Sequence, residues 1–121
     1  MKTPTQKQYR AFAREITRLL ISLKQDIGPD YRAHEDDETP GILVTVGARY
    51  RDGGLDWSYQ TGDNSYTGGA YGYRHWGVGY LYPRSKSAEV ADGIVSEIAD
   101  GIAEEASRAP TNATTETTVT P

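Results

Sequence analysis

No cysteine occurs among the 121 residues, which excludes disulfides, thiolate catalysis and cysteine-based zinc sites. Only two histidines are present, His34 and His75, too few for a histidine-built metal centre unless carboxylates complete it. Hydrophobic residues reach 36%, enough for one modest core and not two. No apolar run approaches the length of a membrane span. The N-terminal stretch carries Lys2, Lys7, Arg10, Arg14 and Arg18 without the uninterrupted apolar segment of a secretory signal. A soluble cytoplasmic chain with no membrane partner is expected. The phosphate-loop pattern GxxxxGK[ST] and the nucleophile elbow GxSxG are missing, and Gly68, Gly69 and Gly72 neither follow the dinucleotide pattern nor open a helix. Neither an enzyme nor a cofactor is therefore expected. The net charge of −4 lacks the electropositive footprint of a general nucleic-acid binder, so no nucleic-acid partner is expected either.

Aromatics and glycines are abundant in one place. Residues 57–84 hold both tryptophans, six of the nine tyrosines and six of the thirteen glycines. Trp57 and Tyr59 at one end, and Trp76, Val78, Tyr80 and Tyr82 at the other, alternate with the period of half-buried strands. Between them, residues 62–74 mix permissive glycines with aromatic faces, the cation Arg74 and short polar side chains. Rings offer stacking surfaces, glycines let a ligand approach backbone N–H groups, and arginine pairs with phosphate through two parallel hydrogen bonds. The plainer alternative is that tyrosines pave a sheet face and glycines make turns. A Ser65–His75–Asp63 triad can be drawn, but such residues meet by chance in most loops, and a histidine at a strand start is more often structural.

The rest of the chain reads as scaffold. Tyr9, Phe12, Ala13, Ile16, Leu19, Leu20, Leu23 and Ile27 have helical spacing, predicting a helix from Pro4 to about Asp26 with Thr3 as its cap and Gly28-Pro29 as its stop. Lys7, Arg10, Arg14 and Arg18 make a basic stripe on its solvated face. Residues 30–40 include four consecutive acids, 35–38, and read as a surface loop. Strands are predicted over 42–50, 55–60 and 75–82, the first two joined by a turn at Asp52-Gly53-Gly54. Gly77 and Gly79 alternate with Trp76 and Val78, leaving a trough suited to a helix or a flat ligand. A second, acidic helix runs from a Ser85 or Ser87 cap to near Arg108, with Val90, Ala91, Ile94, Val95, Ile98, Ile102 and Ala106 on its stripe. Gly93 and Gly101 inside it, eight apart and so expected on one face, predict close packing on the sheet or a partner subunit. The Thr-rich residues 109–121 have almost nothing to bury and are expected to be disordered. The expected fold is thus α+β: an N-terminal helix, an antiparallel sheet of three to four strands and a C-terminal helix, in one domain over residues 1–108. An exposed edge strand, the two helix glycines and two helices of opposite charge together predict a homo-oligomer, a dimer or higher.

The pattern Thr61-Gly62-Asp63-Asn64-Ser65-Tyr66-Thr67-Gly68-x-Ala70-Tyr71, followed by a tryptophan strand, Arg84-Ser85 and an amphipathic helix, resembles the Thoeris anti-defence sponge family of small phage and prophage proteins. The resemblance spans roughly residues 31–106. It implies an oligomeric helix–sheet–helix protomer that sequesters a small cyclic nucleotide signal of the cyclic ADP-ribose type. In that family the nucleotide lies between the sheet and the C-terminal helix near a subunit interface, held by aromatic stacking, an asparagine contact and arginine–phosphate pairing. The matching residue types here are Asn64, Tyr66, Tyr71, Arg74, Trp76, Arg84 and Arg108. The acidic run 35–38 has no counterpart in the family. A second class of function, an acidic phage inhibitor that occupies a host protein surface, would use the carboxylates of the second helix and of that run.

Overall fold

The computed structural model describes residues 2–29, 31–32, 38–62 and 72–115. In chain order they form helix α1 (Gln6–Gln25), strands β1 (Ile42–Arg51), β2 (Gly54–Thr61) and β3 (His75–Leu81), and helix α2 (Ser87–Thr115). This is the expected α+β architecture, with a three-stranded sheet among the described residues.

The first helix starts at Thr5 rather than at Thr3. Thr5 Oγ1 accepts from the Gln8 N–H at 3.1 Å and Gln8 Oε1 accepts from the Thr5 N–H at 2.8 Å, a reciprocal box that satisfies two end donors. Gln8 Nε2 also donates to the Gly53 carbonyl, tying this helix end to the β1–β2 turn. At the other end, the Asp26 N–H bonds to Leu23 O and the Ile27 N–H to Lys24 O, so the last turn tightens on itself. The predicted left-handed exit at Gly28 is not used, because Gly28 does not take positive φ.

Arg51 and Gly54 close a two-residue hairpin in which Asp52 (φ 54°) and Gly53 (φ 77°) both take positive φ. That combination matches the strand twist, and Gly53 adopts it without a Cβ penalty. The sheet order is β2-β1-β3, with both outer strands antiparallel to β1. β2 and β3 are therefore parallel to each other. The chain between them leaves β2 at the level of Val44 and enters β3 at the level of Ala48, on the other side of β1.

Both helices lie on one face, α2 over β3 and β1, and α1 beside α2 and over β2. Ile42, Val44, Val46 and Ala48 of β1 point into this layer, where Phe12, Ile16 and Leu20 meet Ala91, Ile94, Ile98 and Ile102. The trough of β3 is filled by α2. A Cβ on Gly77 would fall inside the contact distance of the Ile94 carbonyl oxygen, and one on Gly79 would lie 2.7 Å from Val90 Cγ1. Of the two options for this trough, it receives the helix.

The expectations about α2 are met in part. Gly93 is exposed with open space around it, so it packs on nothing in this chain. Gly101 lies against His75, where a Cβ would come within 2.9 Å of Nδ1. The two do not share a face, since eight residues at the helical pitch leave an offset of about 80°. The helix also continues past the expected end at Arg108, through Pro110, to Thr115. The two helices of opposite charge do lie side by side, within one chain. No described helix is long and apolar enough to cross a membrane.

Candidate functional site

The strand register sorts side chains between the helix-covered face and the opposite one. On the face opposite the helices, Gln60, Thr45 and Val78 form one row across the three strands, Ser58, Gly47 and Trp76 the next, and Leu43 and Tyr80 pair toward the sheet end where β2 finishes. The Tyr73 ring reaches this face, 5.6 Å from the Arg49 guanidinium, and Leu43 and Thr45 on the middle strand are buried, so the exposed part runs along β3. Trp76, Val78 and Tyr80 accordingly stand in line on β3, 40%, 42% and 42% exposed. Three large, part-exposed apolar side chains along one strand make a ring-bearing platform, the kind of surface on which a planar ligand stacks.

At the centre of this face is a polar group without a counterpart. Thr45 is 3% exposed, and its Oγ1 has no hydrogen-bond partner among the described residues. Buried hydroxyls are nearly always paired, and an unpaired one costs about 1–3 kcal/mol. A polar atom of a bound molecule would relieve that cost.

Leu43 leads from the platform into a cleft of about 360 Å³ lined by Leu23, Asp26, Tyr31, Arg32, Gly41 and Thr61 among others. It sits where β1 begins and β2 ends, against the last turn of α1. Tyr31 is half exposed, and Arg32 Nη1 donates to the Pro29 and Tyr31 carbonyls at 2.6 and 3.1 Å. Those bonds fix the guanidinium by one nitrogen.

The residues expected to hold a ligand distribute unevenly. Asn64, Tyr66 and Tyr71 lie outside the described residues, as do Asp63, Ser65, His34 and most of the acidic run. Trp76 is on the platform. Arg84 lies beyond β3 at the cleft end, exposed and without an ion pair among the described residues. Arg74 and Arg108 lie at the other end of β3, which at seven residues spans roughly 20 Å. One diphosphate cannot be gripped by both Arg74 and Arg84 of a single protomer. Arg74 is moreover paired with Glu105, and Arg108 lies 3.5 Å from Glu104. The space between β3 and α2 at Gly77 and Gly79 is occupied by Ile94 and Val90, so it has no room for a nucleotide within the protomer.

His75 is paired with α2, and the other two residues of the drawn triad lie outside the described residues. Its Nε2 is 2.8 Å from Glu105 Oε1, and since a carboxylate only accepts, Nε2 carries the proton. This hydrogen bond, reinforced by the Arg74 guanidinium, holds the Glu105 carboxyl below the ordinary glutamate range against a smaller opposing effect of burial. The cluster fastens the start of β3 to α2. Glu105 binds protons less readily folded than unfolded, so its stabilisation is complete above the unfolded value of about 4.3 and fades as pH falls through the folded one. The melting temperature of Glu105→Gln should therefore be lower than the parent's at neutral pH, with the gap closing below about pH 4; a gap of constant size in pH-dependent melts would contradict this. Elsewhere, burial pushes the Tyr9 phenol above its ordinary range, with Tyr50 and Asp100 adding to the effect.

Thr45, Gln60, Tyr31 and Arg32 were not among the predicted site residues. The one available sequence signal is a threonine inside the apolar run 42–46, on the opposite parity from Ile42, Val44 and Val46. Among the described residues no group of three or more His, Asp or Glu side chains is placed to hold a metal ion. In comparison with known proteins, the chain matches no family model, no curated protein and no solved structure.

Proposed function

We propose that this protein is a non-enzymatic phage or prophage module that binds and sequesters a small cyclic nucleotide signal of the cyclic ADP-ribose type, blunting an immune response. The resemblance of residues 31–106 suggests the ligand class, and the sheet face opposite the helices supports a place for it along β3. The observation that carries the reading is the buried Thr45 hydroxyl, unpartnered among the described residues, beside the part-exposed row Trp76, Val78 and Tyr80. A base stacks on the row, a ligand polar atom reaches Thr45, and the phosphates meet Arg84 or Arg32 at the cleft end. Aromatic stacking of this kind is worth about 1–3 kcal/mol per base.

Calorimetry with cyclic ADP-ribose and its glycosidic relatives tests this. Trp76→Ala and Arg84→Ala should each weaken binding at least tenfold, and Arg14→Ala on the outer face of α1 should not change it. Thr45→Val gives the sharpest contrast: the ligand-free protein becomes more stable by about 1 kcal/mol, because an unpaired hydroxyl is removed, while affinity falls. Unchanged affinity in both Trp76→Ala and Thr45→Val would move the site off this face. Failure of the parent to bind any such nucleotide favours the acidic-inhibitor reading, which the exposed Asp92 and Asp100 of α2 support.

A further inference from the structure

The two edges of the sheet are not equivalent. In a two-residue hairpin the closing pair Arg51–Gly54 is hydrogen-bonded, so the inward-bonding positions of β2 are Asp56, Ser58 and Gln60. The Gly62 N–H donating to Leu43 O at 3.0 Å extends the same alternation. Leu55, Trp57, Tyr59 and Thr61 therefore turn their backbone N–H and C=O groups outward, and no backbone partner meets them among the described residues. On β3 the corresponding edge is blocked. Glu97 reaches down from α2 and accepts the outward Val78 N–H at 2.7 Å.

Edge strands that stay free are normally guarded by lysine, proline or a bulge. Residues 54–61 contain none of these. Their single charge, Asp56, is held by Arg49 of the neighbouring strand at 3.2 Å. Beside the open edge, Gln8, Ala11, Phe12 and Glu15 of α1 form with Leu55 a groove of about 140 Å³. The cations Lys7, Arg10, Arg14 and Arg18 are exposed on the side of that helix turned away from the core.

We propose that two copies of this chain pair β2 to β2, antiparallel, about a two-fold axis at Ser58, so that two three-stranded sheets become one sheet of six. The register follows from the strand itself. An antiparallel pair about Ser58 sets Trp57 opposite the partner's Tyr59 and Leu55 opposite the partner's Thr61, using all four outward-bonding residues of each copy. Asp56 then faces the partner's Gln60, so no like charges are opposed. A shift of the axis to Trp57 or to Tyr59 leaves outward groups unpaired at one end, and a shift to Asp56 opposes two carboxylates. On the helix-covered face, the partner's Thr61 arrives at Leu55, at the mouth of the groove. This inference does not depend on the ligand.

The absence of cysteine makes the test clean. Non-hydrogen-bonded antiparallel partners have Cα atoms about 4.5 Å apart, within the span of a disulfide. Ser58→Cys should be cross-linked to a dimer by mild oxidation at least tenfold faster than Asp56→Cys or Gln60→Cys. Light scattering should give the parent the mass of two protomers at tens of micromolar. Tyr59→Pro removes one outward N–H and leaves the β1–β2 ladder intact, so it should give a one-protomer mass with a parent-like circular dichroism spectrum. A one-protomer parent, equal cross-linking at the three positions, or a folded Tyr59→Pro of two-protomer mass would each overturn the proposal. Should Tyr59→Pro fail to fold, the cross-linking rates decide alone.

Discussion

Replacing Gly77 with alanine lowers the unfolding free energy by about 1–3 kcal/mol, and trimming neighbouring side chains does not restore it. The reason is the identity of the obstructing atom. The new Cβ meets the carbonyl oxygen of Ile94, part of the α2 backbone, so the whole helix must lift from β3. Gly79→Ala differs in kind although it lies two residues away on the same face. There the nearest atoms are Val90 Cγ1 at 2.7 Å and Ile94 Cδ1 at 3.1 Å, both side-chain ends. Val90→Ala should rescue Gly79→Ala and leave Gly77→Ala unimproved. Gly93→Ala, made in open space, should instead gain up to about 1 kcal/mol through helix propensity. Urea unfolding of the five variants separates these outcomes; a Gly77→Ala protein as stable as the parent would mean that α2 does not sit where the trough places it.

Phe12→Ala should be costlier still, by about 3–5 kcal/mol, against the total of about 5–15 kcal/mol that holds a domain of this size. Phe12 is almost fully buried, and its ring lies 5.9 Å from that of Trp57, tilted by 58°. Glu15, one turn further along α1, accepts the Trp57 Nε1–H at 2.9 Å. Trp57 is thus gripped by a ring and a carboxylate of the same helix, and this is where α1 is attached to β2. Glu15→Gln keeps an acceptor and should cost no more than about 1 kcal/mol. Equal melting temperatures for Phe12→Ala and Glu15→Gln would show that the ring contact contributes little.

The scaffold was legible because its signals are local. The stripe Phe12, Ile16, Leu20 and the alternation Ile42, Val44, Val46 each declare a period that only one kind of element satisfies. Asp52-Gly53 names its own turn, and the paired glycines of β3 announced a trough before anything was known to fill it. Gly93 and Gly101 part company because a separation of eight residues resembles two helical turns but falls short of closing on one face. Thr45 was invisible for another reason: whether a buried hydroxyl finds a partner depends on what the second and third strands bring beside it, and register is not written in a single strand. The cleft at Tyr31 and Arg32 likewise exists only once the end of α1 has been set against the start of β1. Arg74 and Arg84 are ten positions apart in a list, yet a strand drawn out between them makes that the length of the sheet.

The bond from Val78 to Glu97 gives α2 a second duty besides filling the trough. While the helix is docked, its carboxylate closes a strand edge that would otherwise recruit other chains. An opening fluctuation in which α2 lifts, with the sheet still formed, would bare that edge and the floor of the trough together, and such sub-global openings occur in native proteins at free energies below that of complete unfolding. The species most prone to aggregate is then not the unfolded chain but a nearly native one with a single helix detached. Its population, rather than the global melting point, would set the shelf life of the protein in concentrated solution.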